Sequence, residues 1–133
     1  MKADFQTELE LIVRFESGAI EPGEFHHADH VRLAYAYLRQ HPLCQALANF
    51  SAALKKFAAA QGKAERYHET ITTAYFLLIN ERLERTEAVN WEGFARCNPD
   101  LICENNILHR YYRENTLASE LAKRVFVFPD KWI

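Results

Sequence analysis

Glycine and proline are scarce in this chain, with four of each in 133 residues. All-β folds need many tight turns, so the scarcity argues for helices. No run of about 18 consecutive apolar residues occurs, which excludes a transmembrane helix. The N-terminal stretch Met1 to Glu8 carries acids and lacks an apolar segment, so no secretory signal is expected there. Cysteine is limited to Cys44, Cys97 and Cys103, an odd set without CxxC spacing. Such a set reads as reduced thiols in a cytoplasmic protein. Charge is nearly balanced, at a formal net −2. That excludes a general attraction to nucleic acid or anionic lipid. Familiar catalytic signatures are missing too: there is no G-x-x-x-x-G-K, G-x-G-x-x-G, H-E-x-x-H or G-x-S-x-G.

What is present describes an ordinary globular chain. Hydrophobic residues make up 49% and charged residues 26%, a balance that argues against disorder. The length suits one domain, residues 1–133, able to bury roughly two thirds of its unfolded surface. No internal repeat, low-complexity tract or domain boundary is visible.

Apolar spacing predicts an all-α domain of about five to seven helices, with a bundle of four longer ones as its core. The first spans 4–16, capped by Asp4, with Phe5, Leu9, Ile12, Val13 and Phe15 on its apolar face and Gly18 ending it. Pro22-Gly23 then signals a turn. The second runs from about His27 to Gln40, stopped by Pro42, and the third from about Leu43 to Gln61, ended by Gly62. The fourth spans about Ala64 to Arg85. Its wide apolar face (Ile71, Ala74, Tyr75, Phe76, Leu77, Leu78, Ile79) predicts a central position. Asn90 is placed to cap a short helix, Pro99-Asp100 interrupts, and further helices are expected over Leu101–Arg113 and Leu117–Val125. The β-prone run Val125-Phe126-Val127-Phe128-Pro129 has no strand to pair with, so it is expected as an extended tail laid across the bundle.

Three of the six histidines fall in Phe25-His26-His27-Ala28-Asp29-His30. A spacing of three puts His27 and His30 on one helical face, near enough to share an ion. A third ligand must come from elsewhere, and His68 qualifies, because Ile71, Thr72, Tyr75 and Ile79 follow it by helical steps into the interior. Asp29 and Glu69 stand beside these histidines as a fourth ligand, as partners orienting an imidazole, or as a general base on bound water. Glu69 is the candidate base, whereas Asp29 in a first helical turn suits the helix N-terminus. His26 and His41 read as surface residues and His109 as structural. Cys44 reads as core. Arg110 and Arg113 could pair with acids or meet an anionic substrate, and read first as solvated helix charges.

The segments Phe25–Ala34 and Tyr67-His68-Glu69-Thr70-Ile71-Thr72 resemble a family of short, largely uncharacterised bacterial helical proteins. Its members carry F-x-H-x-D-H and later Y-H-E-T-[IL]-T. The run from Tyr111-Tyr112 through Leu117 to Phe128-Pro129-Asp130 is similar to the family's ending. The resemblance implies no particular activity. By position it singles out His27, Asp29, His30, His68 and Glu69.

Two functions follow as expectations. One is a metal-dependent enzyme, hydrolytic or oxidative, acting on a small molecule. His27, His30 and His68 would hold a divalent transition metal, with zinc, iron, nickel and copper equally suited. The other is a non-enzymatic helical module that binds a ligand or partner, its His, Asp and Glu residues forming a structural polar network.

Overall fold

The computed structural model describes residues 4–103 and 106–131, with side chains from residue 7 onward. The proposed roles of Asp4 as a cap and Phe5 as an apolar-face residue lie outside the described side chains. Four long helices come first: α1 (Asp4–Glu16), α2 (His27–Gln40), α3 (Leu43–Ala60) and α4 (Glu69–Arg85). Four short ones follow: α5 (Trp91–Cys97), α6 (Pro99–Cys103), α7 (Glu114–Leu117) and α8 (Glu120–Arg124). Single 3-10 turns occupy Pro22–Glu24, Ala64–Arg66 and Ile107–Arg110. No strand occurs among the described residues, and no helix there is long and apolar enough to cross a membrane. The all-α expectation holds.

Local chemistry sets the helix ends. Gly18 and Gly62 adopt φ of 81° and 70°, left-handed values that cost glycine little, and each closes a helix. Asn90 caps α5 by accepting the Gly93 N–H at 2.8 Å. Four boundaries differ from the sequence reading. The segment Ala64–Arg66 is a separate turn, because Tyr67 and His68 are extended before α4 begins. Pro99 opens α6 rather than interrupting, since the first helical turn needs no N–H from it. The stretch Leu101–Arg113 is not one helix but α6 followed by a 3-10 turn. Leu117–Val125 is likewise split, where Ser119 caps α8 by accepting from Ala122 N at 3.1 Å.

The core is centred on α2, whose Val31, Leu33, Ala34, Tyr35, Ala36 and Tyr37 are all buried. That helix packs against α1, α3, α4 and α6, while α4 packs against α2, α3 and α8. Both are central, as foreseen for α4 alone. On α1, Ile12 and Phe15 enter the core, but Leu9 and Val13 are 44% and 57% exposed, so its apolar face is narrower than its composition suggests. Cys44 is exposed rather than core, and all three cysteines are free.

The extended tail lies on the bundle and pairs its backbone with side chains and with the Tyr111 carbonyl, since it has no neighbouring strand. The buried Thr70 hydroxyl donates to Val125 O at 2.8 Å and accepts from Val127 N at 3.0 Å. Tyr112 donates to Val127 O at 2.6 Å. The Asp130 carboxylate accepts from the Thr116 hydroxyl and from Arg113 N.

Candidate ligand cavity

Both histidine segments have the same local plan. A 3-10 turn leads into an extended aromatic residue and then a histidine at the helix N-cap: Phe25-His26 before α2, Tyr67-His68 before α4. The extended pair turns the chain through each corner and aims it into the bundle. As a result the start of α2 and the start of α4 lie on the wall of one cavity, of about 630 Å3. Helix α3 supplies the opposite wall through Phe50, Leu54, Phe57 and Ala58.

All three candidate ligands, His27, His30 and His68, line this cavity. They do not converge on a point. Among the described residues, no group of three or more His, Cys, Asp or Glu could hold a metal ion. The hydrogen bonds explain the arrangement. His68 is the N-cap of α4 rather than a residue within it, and its Nδ1 accepts from Ile71 N at 3.1 Å. Its Nε2 stands 2.7 Å from the Leu117 carbonyl, an acceptor only, so that nitrogen carries the proton and donates. Both ring nitrogens of His68 are thereby used, Nδ1 in capping α4 and Nε2 in tying it to the end of α7.

His27 is similarly held. Its Nε2 lies 2.9 Å from the Leu101 carbonyl and 2.9 Å from the Tyr75 hydroxyl, which itself donates to Leu101 O at 2.8 Å. The Leu101 carbonyl is fixed in turn by its neighbour Asp100. Arg82 clamps that carboxylate through two bonds of 2.9 and 2.7 Å, and Arg110 adds a third at 3.2 Å. The paired Arg82 guanidinium holds the Asp100 carboxyl well below the usual carboxylate range.

His30 differs. Its ring stacks on Phe25 at 4.2 Å between centroids, and no other side chain or backbone group bonds it among the described residues. The side chain is exposed by surface area, yet protein crowds it. Desolvation, with His27 nearby, lowers its pKa to about 4, so the imidazole is neutral near pH 7.

The two carboxylates are placed apart from the cavity lining. Asp29 accepts the His26 N–H at 3.0 Å, the first-turn task its position suggested. Glu69 accepts from the Tyr67 hydroxyl at 3.0 Å; burial, then this contact, push the Tyr67 pKa up to about 12. His26 is exposed at its N-cap, and His41 and His109 are away from the cavity lining.

Much of the lining was not singled out by sequence. Phe25, Phe50, Phe57 and Phe76 join Tyr67 and Tyr75 around the space, with Val31, Leu54, Ile71 and Ile79 between them. Phe25 packs with Phe15 and Phe57 at 4.8 and 5.2 Å between centroids, which stiffens that wall. Two cations, Lys63 and Arg66, were also missed. Their signal was present, as a basic pair three residues apart immediately before Tyr67-His68. No protein-family model, curated protein or solved structure matches this chain.

Proposed function

We propose that this protein is a helical small-molecule-binding module, its ligand held in the cavity between α2, α3 and α4. The observation that carries the reading is the cavity itself: about 630 Å3, walled by aromatic and aliphatic side chains with a few polar groups at set positions. Small-molecule sites share that size, roughly 300–1,000 Å3, and that mixture. The histidines support the same reading. His27 and His68 act as rigid hydrogen-bonded posts that fix the two helix starts, and His30 offers a neutral imidazole to the ligand.

The uncharged apolar dye N-phenyl-1-naphthylamine tests this proposal. Its fluorescence should rise on binding with one-to-one stoichiometry. Ala58→Trp, which fills the cavity from α3, should abolish the rise while circular dichroism stays helical. An undiminished rise in that variant would place the dye elsewhere and defeat the reading.

A second reading is favoured by one feature, that three imidazoles border a single cavity. In it His27, His30 and His68 hold zinc, iron, nickel or copper, with Glu69 as general base in a hydrolytic or oxidative reaction. His68 must then leave the Leu117 carbonyl or the Ile71 N–H to free a nitrogen. Stoichiometric metal in natively purified protein, lost in His68→Ala and His30→Ala but kept in His26→Ala, would favour it. Metal-free protein with an unshifted melting temperature on adding Zn²⁺ or Fe²⁺ would dismiss it.

A further inference from the structure

From the charge at the cavity's rim we infer that the ligand is a small apolar molecule bearing one anionic group, and that Lys63 and Arg66 bind that group. The inference rests on the small-molecule reading above and names its ligand class. Every titratable residue in the lining is a histidine, a tyrosine, Lys63 or Arg66; no carboxylate is among them. A ligand with a cationic head would find no counter-charge there. An anion finds two.

The local backbone makes Lys63 and Arg66 a pair. They bracket the 3-10 turn Ala64–Arg66, closed by the bond from Arg66 N to Lys63 O at 2.9 Å. Lys63 is the N-cap of the turn and Arg66 its last residue, and both side chains reach the wall of the one cavity. Both are exposed, both line the cavity, and neither forms an ion pair among the described residues. Glu65, between them, is exposed and does not line the space. Glu69, the nearest acid in sequence beyond the turn, accepts the Tyr67 hydroxyl.

The apolar body has a defined place as well. Below the turn, Phe25, Leu54, Phe57 and Ile71 form a lining that a flat or chain-like hydrocarbon can cover. Ile71 is 39% exposed, a large aliphatic side chain at the cavity that a ligand would shield. Head and body are thus recognised by different elements, the turn for charge and α3 and α4 for apolar contact. A planar guanidinium at Arg66 can accept a carboxylate or sulfonate by two parallel bonds, and the Lys63 ammonium adds a point charge.

Three probes with one ring system separate head from body: 2-naphthoate, 2-naphthalenemethanol and 2-naphthylmethylammonium, titrated by calorimetry at low salt. The anion should bind about tenfold more tightly than the alcohol, and the cation more weakly than either. In Lys63→Gln/Arg66→Gln, whose sites are exposed, the anion should fall to the affinity of the alcohol while the alcohol is unchanged. Equal affinities in the wild type, or an anion preference surviving in the double variant, overturn the inference and leave the cavity reading standing. If none of the three binds, both fall.

Discussion

The two corners that begin α2 and α4 are built alike and used differently. Aligned on their N-caps, His26 matches His68, His27 matches Glu69, Ala28 matches Thr70 and Asp29 matches Ile71. At the first corner the cap residue is exposed and forms a local capping box with Asp29, whose carboxylate reaches back to the His26 N–H at 3.0 Å. At the second the cap is half-buried, and the histidine works at both nitrogens, on Ile71 N and Leu117 O. Thr70, one step past Glu69, fastens the C-terminal tail, a task that alanine at 28 cannot perform. The first corner is therefore a local cap, whereas the second ties three distant parts of the chain together. Similar sequence at two sites does not give similar roles; what packs over each site decides them.

That contrast can be broken or sharpened by substitution. His68→Ala removes the α4 cap and leaves the Leu117 carbonyl without its donor. The cost should be about 2 kcal/mol, from roughly 1 for the cap and 1 for the part-buried hydrogen bond. His26→Ala should cost less, under about 1 kcal/mol, since its capping contact is local and exposed. Chemical denaturation of both variants checks the difference. Equal losses would mean that the corners are equivalent after all.

A smaller effect concerns His30, the free histidine of the first corner. Its pKa in the folded chain is lowered from 6.5 to about 4, so the unfolded chain takes up the proton first as pH falls. The stability carried by the neutral imidazole is complete above pH 6.5 and is lost on the way down toward 4. Asp100, held low by Arg82, gives way only in more acidic solution. Melting temperature should therefore decline between about pH 7 and pH 5, and His30→Phe should flatten that decline. An unchanged slope in the variant would assign the acid sensitivity to other groups.

Most of the fold was legible because it depends on local rules. Gly18, Pro42, Gly62 and Asn90 mark helix ends by backbone chemistry that sequence displays directly, and α1 through α3 fall close to where those marks put them. Legibility failed where tertiary contact overrode pattern. Nothing in the run Ala64–Glu69 announces that Tyr67 and His68 are extended, since only one of the two bonds on the His68 ring is local, to Ile71 N, and the other comes from Leu117, far along the chain. Leu9 and Val13 fit a helical stripe yet face outward because the neighbouring helices cover a narrower face of α1. For the site, spacing selected three histidines that do share one cavity, but it could not say where their nitrogens point. The apolar walls were invisible as a site because phenylalanines around a cavity and phenylalanines in a core share one spacing.

A small molecule received between α2, α3 and α4 must perturb the methyl groups that line that space. In methyl-resolved NMR of the protein titrated with 2-naphthalenemethanol, saturable shifts are expected at Val31, Leu54, Ile71 and Ile79, which line the cavity, with Leu121 and Val125 on the exposed C-terminal surface unmoved. Shifts at Leu121 and Val125 with the lining methyls still would contradict binding in that space.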